Sequence, residues 1–231
     1  MLHKTRGIVI NYIRFRETSI IVKIFTEKFG IQSFIENGAR STKGKNKIAL
    51  FQPLSLLEMV VYHYEKKDLH RISEIKSAHP YKTLPYHILK SSIALFLDEM
   101  MNKCLIEQIE NAELYHFIEQ SFIYLDESSG SFENFHLQFL LNFSYYLGFA
   151  PQDVKEIRSQ LKEFHFDYQL NSQEEAWMQQ FIQDSRYGIS IPAINRTSRN
   201  KLLDTILQFY KLHIEDFGTI HSIQVLAEVL N

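Results

Sequence analysis

Between Arg6 and Ile75, apolar and polar residues tend to alternate in short runs rich in Ile, Val, Phe and Tyr, the period of a half-buried strand. Such runs span Arg6–Phe15, Ser19–Phe25 and Ile31–Ile35, with polar or turn-forming residues at Arg16–Thr18 and Glu27–Gly30, and predict three strands joined as hairpins. After a polar segment from Asn37 to Lys47, Leu54–Tyr64 and Leu69–Ile75 predict two more strands about the turn Glu65–Asp68. Beyond Pro80 and Pro85 the apolar spacing becomes helical: His87–Ile106, Leu114–Leu125, Phe135–Leu147, Glu174–Ile182, Ser198–His213 and Ile220–Leu230 each carry an apolar stripe. Gly148 and Pro151 mark a helix stop after the third. Residues 152–171 are more polar and less periodic, and are expected to form a loop or irregular insertion.

The pattern predicts an α+β chain of two domains: a small β-barrel over residues 1–80, then an all-α domain of about six helices over 81–231. Five short strands suit a closed barrel, and the five-stranded OB-fold is the commonest such barrel that binds oligonucleotides; an SH3-like barrel fits almost as well. The charge pattern favours a polyanion as the barrel's ligand. Residues 1–80 carry 14 Lys and Arg against 7 Asp and Glu, a net of +7, while residues 81–231 carry 11 against 20, a net of −9. The whole-chain value of −2 hides two modules suited to different partners.

Composition excludes several classes. One cysteine, Cys104, rules out an internal disulfide or a cysteine-rich metal centre and points to a reducing compartment. Arg6 and Arg14 bracket only seven uncharged residues, too few for a signal-peptide core. The charge-free stretch from Asn134 to Gln152 is interrupted by His136, Gln138, Asn142, Gly148 and Pro151, and reads as a buried helix and turn rather than a membrane span.

Gly38–Lys47 carries Arg40, Lys43, Lys45 and Lys47, no acid, two glycines and two hydroxyl residues, a phosphate-binding composition that a mobile solvated loop would equally have. As a P-loop it fails: five residues separate Gly38 from Gly44 where the motif has four, and Asn46 stands where Ser or Thr must bind magnesium. Arg6, Arg14, Arg16, Lys23, Lys66, Lys67 and Arg71 are interleaved with Tyr12, Phe15, Phe25, Phe29, Phe34, Tyr62 and Tyr64, the mixture that a single strand needs for its phosphates and bases, although most of these rings are expected in the core. His63 and His70 fall in adjacent predicted strands without a third metal ligand. Cys104 reads as a buried small hydrophobe, and no pair of acids is spaced for general acid–base catalysis, so no enzyme activity is expected.

Gly7-Ile8-Val9, Phe25-Thr26-Glu27-Lys28-Phe29-Gly30, Gly38-Ala39-Arg40 and Leu50-Phe51-Gln52-Pro53-Leu54, in this order, resemble the bacterial recombination mediator family RecO. Tyr210-Lys211-Leu212-His213 and Ser222-Ile223-Gln224-Val225-Leu226 are similar to its closing helices. The resemblance implies an OB-fold and a helical domain, and a cytoplasmic protein without cofactor that binds single- and double-stranded DNA. It further implies annealing of strands coated by single-stranded-DNA-binding protein, and cooperation with RecR and RecF in loading RecA. It makes Arg40 the first candidate DNA contact, with Lys43, Lys45 and Lys47 behind it. Many members carry a four-cysteine zinc site after the turn that corresponds to Leu147–Pro151; this chain has no cysteine beyond Cys104, so residues 152–171 keep the place of that module without its metal. An acidic tail ending in an aromatic residue, as in single-stranded-DNA-binding proteins, needs an apolar groove edged by cations, and Arg196, Arg199, Lys201 and Lys211 are the densest basic group of the helical half, each with helix capping as the plainer reading. The alternative from another class is an adaptor whose charged barrel serves an acidic protein. Exposed aromatics beside the cations favour DNA; aromatics all buried favour the adaptor.

Overall fold

The computed structural model describes residues 1–41, 45–64, 66–105, 110–130, 132–184 and 194–230, with Lys45 and Asn46 described in their backbone alone. Five strands, β1 (Leu2–Phe15), β2 (Ser19–Thr26), β3 (Gly30–Glu36), β4 (Leu56–Tyr62) and β5 (Leu69–His79), close into a barrel in the order β1-β2-β3-β5-β4. β3 and β5 are parallel and the other described pairs antiparallel, which is the OB-fold that the alternation predicts. A one-turn helix, α1 (Lys45–Ile48), and a 3-10 turn (Ala49–Phe51) lie between β3 and β4.

The barrel core is the inward set of each strand: Val9, Ile20, Val22, Phe34, Leu57 and Val61 are fully buried. β1 is long because its first half pairs with β4 and its second with β2, and its register breaks between Val9 and Asn11. Val9 faces the core, and so does Tyr12 three positions later, so the bulge at Ile10 shifts the phase by one. Before it Leu2, Lys4 and Arg6 point outward; after it Ile13 does.

The remaining helices are α2 (Ile88–Cys104), α3 (Ala112–Glu127), α4 (Phe135–Tyr146), α5 (Val154–Glu163), α6 (Ser172–Gln183), α7 (Arg196–His213) and α8 (Ile223–Val229). The expected loop over 152–171 is corrected by α5. Its apolar residues Val154, Ile157 and Leu161 are all buried at helical spacing, and Asp153 caps it by accepting from the backbone N–H of Glu156 at 2.8 Å. Five charged residues crowd the rest of the helix and mask that short stripe.

The chain forms two compact units that do not follow its linear order: Met1–Lys82 with Asp98–Ile123, and Thr83–Leu97 with Tyr124–Asn231. In the first, the helical segment covers part of the barrel's outer face, burying Ile8 and Phe25, with Tyr115 5.9 Å from the Phe25 ring. In the second, α4 is buried nearly all round, and α6 and α7 pack against it. Lys90 is buried there and donates to the carbonyls of Asp126 and Ser128 at 2.8 and 2.7 Å, closing the end of α3. Asp126 in turn accepts from the backbone N–H groups of Thr83 and Leu84. No helix among the described residues is long and apolar enough to cross a membrane.

Gly7 sits at a close approach inside the barrel, where a Cβ would lie 2.6 Å from both Ile24 Cγ2 and Met59 Cε. Gly7→Ala is expected to lower the stability of the fold by about 1–3 kcal/mol, read as an earlier denaturant midpoint.

Candidate nucleic-acid interface

The strand registers line up one outward residue from every strand. Ile13 on β1 faces Ile21 on β2, Ile21 faces Ile35 on β3, Ile35 faces Arg71 on β5, Arg71 faces Tyr62 on β4, and Tyr62 faces Leu2 back on β1. The row leaves β1 at position 13 and returns at position 2, a stagger of eleven residues that makes it cross the barrel obliquely. Ile13 is 61% exposed, Tyr62 38% and Leu2 55%, with Ile21 and Ile35 half-buried. The exposed Ile13, Leu2 and Tyr62 with the half-buried Ile21 and Ile35 form an apolar strip across the barrel surface.

Cations flank the strip at both loops. On the β1–β2 hairpin, Arg14 and Arg16 are exposed, and the Arg16 guanidinium lies 5.1 Å from the Phe15 ring centre. On the β4–β5 hairpin, Lys66, Lys67 and Arg71 are exposed, and Lys67 Nζ sits 4.8 Å from the Tyr64 ring centre. Tyr64 is 46% exposed and Leu69 38%. Of the seven aromatic residues singled out in the barrel sequence, Phe25 and Phe34 are buried and Tyr12 and Phe29 pack against the core, whereas Tyr62 and Tyr64 stand open beside cations.

Other candidate cations are committed to partners. Arg40 donates from Nη2 to the carbonyls of Arg16 and Glu17 at 2.7 and 2.6 Å and from Nε to that of Ser19 at 3.4 Å, and its own N–H bonds to the carbonyl of Thr18. It braces the β1–β2 hairpin, whose Arg16 has a positive φ of 50°. Lys47 pairs with the buried Glu36 carboxylate at 2.6 Å. Lys43 lies outside the described residues, and of Lys45 the backbone alone is described. Lys23 is half-buried and reaches the carbonyl of Leu105 at 3.4 Å, and burial holds its ammonium below the usual lysine range.

Arg6 is the most heavily bound of all. Its guanidinium donates to both Glu27 oxygens at 3.1 and 2.9 Å and to both Glu119 oxygens at 2.9 and 2.8 Å, with His116 Nδ1 3.3 Å away. It ties β1 to the β2–β3 turn and to α3, beneath the Tyr115 ring. Hydrogen bonding to Glu27 pushes the Arg6 value up, and the same bond holds the Glu27 carboxyl well below its usual range.

In the second unit, three of the four proposed tail-binding cations are bonded locally. Arg196 donates to the carbonyl of Ala227, Arg199 is 9% exposed and donates to Asn134 Oδ1 and the carbonyl of Ile194, and Lys201 lies 3.7 Å from Glu174. Lys211 is exposed. Cys104 is buried, which pushes its thiol up to about 12 and leaves it a packing residue. Among the described residues no three His, Cys, Asp or Glu side chains are placed to hold a metal ion. Sequence reading missed the isoleucine strip, because the bulge that turns Ile13 outward leaves no mark in the alternation.

The Glu27 carboxylate is stabilised as the charged form, so its contribution to stability is complete above the ordinary glutamate value of about 4.3 and is lost as pH falls through its lowered folded value. Arg6→Ala should therefore be less stable than the parent at neutral pH, with the gap narrowing below about pH 4, measured by urea denaturation across pH.

Comparison with known proteins agrees with this architecture. Residues 1–81 match the model for "Recombination protein O N terminal" and residues 85–219 that for "Recombination protein O C terminal". Full-length relatives named DNA repair protein RecO include those of Phocaeicola vulgatus, 36% identical over 242 residues covering 100% of both chains, and Bacteroides fragilis, 35% identical over 246 residues with the same coverage. That of Flavobacterium johnsoniae is 36% identical over 237 residues, 99% of each chain. With both halves matched in order and relatives aligned from end to end, the chain belongs to the RecO family of recombination proteins.

Proposed function

We propose that the protein is a non-enzymatic DNA-repair mediator that binds nucleic acid across the open face of its barrel. The observation that carries this reading is the oblique row from Ile13 to Tyr62, which includes Arg71 and is flanked on one side by Arg14 and Arg16 and on the other by Lys66 and Lys67. In OB-folds the face of strands 2 and 3 between these two loops is where oligonucleotides bind. Phosphates pair with the hairpin cations, and unpaired bases lie over Tyr62, Tyr64 and the isoleucine strip. A duplex has no exposed base faces to offer the strip, so its binding depends on the cations alone. The open tyrosines beside lysines favour DNA over the protein-adaptor alternative.

Neutralising phosphates on two strands lowers the repulsion that opposes their pairing, which is how the barrel anneals complementary DNA without covalent chemistry. Through its RecO kinship the protein acts in the bacterial cytoplasm with RecR and RecF and with single-stranded-DNA-binding protein, clearing the way for RecA. The acidic second unit serves these protein contacts. With Arg196, Arg199 and Lys201 engaged locally, Lys211 is the cation of that group best able to meet an acidic tail.

Fluorescence anisotropy of a labelled 30-nucleotide strand over a range of salt concentrations tests the reading. Alanine at Arg14, Arg16, Lys66 and Lys67 together should weaken binding on any sequence and reduce the salt slope by about 3, at roughly 0.7 for each phosphate left without its cation. Parent-like affinity and slope in this variant would remove the two hairpins from the interface. Arg40→Ala should also weaken binding, but with an unchanged salt slope, because its guanidinium holds the hairpin rather than a phosphate.

A further inference from the structure

At the base of the β4–β5 hairpin the structure holds a column of stacked rings. Phe29 from the β2–β3 turn lies parallel to His63 at 4.1 Å between ring centres and 8° between planes, and His63 lies over His70 at 4.6 Å and 24°. Phe34 closes the column below His70 at 5.8 Å, and His3 meets Phe29 and His63 edge-on at 5.3 and 6.2 Å. His70 is 1% exposed, and His63, half-buried, is its cover. The two histidines bracket the segment that carries Tyr64, Lys66 and Lys67, and His70 is the immediate neighbour of Arg71.

Two imidazoles in face contact behave as a pair. One added proton places an imidazolium between ring faces, an attractive arrangement, whereas a second is opposed by the first at under 5 Å. Charges of both signs lie near the pair. Lys67 and the Met1 ammonium, which donates to the His63 carbonyl at 3.2 Å, are positive, and Asp68 is the acid that faces His70. Burial, then the neighbouring His63, holds His70 below the usual histidine range. Phosphates of a strand along the hairpin add negative charge beside the stack and favour its protonated form.

We propose that the His63–His70 pair is a proton-linked part of the nucleic-acid interface, taking up one proton from solvent when a strand binds along the β4–β5 hairpin, so that grip tightens as pH falls. The proposal rests on the DNA-binding reading above. The sign follows from linkage: a complex that holds more protons than the free protein is favoured by acid, up to tenfold in affinity per pH unit for one proton.

The test is anisotropy titration of the full chain with a labelled 30-nucleotide oligothymidine, whose bases do not titrate in this range, from pH 8 to pH 5.5 at constant salt. The parent should bind more tightly with each step down. His63→Phe, which keeps the column of rings and removes the ionisable cover, should bind with a clearly flatter pH dependence, its folding checked by thermal melting. A parent that binds equally well at every pH overturns the proposal and leaves DNA binding intact. So does a His63→Phe variant with the parent's pH dependence, since the proton would then reside elsewhere. Absence of binding at every pH overturns the DNA reading and this proposal with it.

Discussion

The geometry of this protein turns on how β1 closes the barrel. A five-stranded barrel needs strands strongly tilted to its axis, so one strand must pair with different neighbours along its two halves. β1 does so over fourteen residues, and the one-residue bulge at Ile10 accommodates the coiling. Changing the phase there sends Arg6 and Ile8 outward on the first half and Ile13 outward on the second. The first group meets the helical segment Asp98–Ile123; the second is left open. One backbone irregularity thus decides which part of the outer face is packed and which is a surface.

The packed part is secured by polar contacts at its edge as well as by apolar burial. Arg6 satisfies two carboxylates at once, from the β2–β3 turn and from α3, and a partly buried guanidinium with four charge-assisted hydrogen bonds is far more sharply oriented than an exposed ion pair. Asn11 joins Asn102 nearby at 2.6 Å, and Lys23 reaches Leu105. These contacts consume cations that a count of charges assigns to DNA. Among the described barrel residues, exposed cations concentrate at two hairpins, Arg14 and Arg16 on one and Lys66, Lys67 and Arg71 on the other, with Lys4 and Lys28 exposed elsewhere.

That concentration gives the open face its character. Cations at both rims and isoleucines between them suit a strand that presents phosphates outward and bases inward, and Arg40 contributes by fixing the shape of one rim from behind. The opposite rim stands on the Phe29–His63–His70 column, which pins the β4–β5 hairpin to the β2–β3 turn.

Alternation and helical periodicity, both properties of residues near in sequence, determined the five strands, the order of sheet then helices and six of the seven longer helices; α5 escaped because charged residues dilute its three apolar positions. Charge segregation and the Gly7, Gly38 and Phe25–Gly30 motifs likewise carried the family and the barrel's suitability for a polyanion. What the linear chain left undecided was which cations stay free, because Arg6 finds Glu119 113 positions away and Arg40 finds carbonyls more than twenty positions back. The same holds for the isoleucine row, assembled from five strands by register, and for the histidine stack, brought together by a hairpin. Only the tertiary structure decided these, since hydrogen-bond partners and cross-strand neighbours are set by chain closure rather than by spacing along the chain.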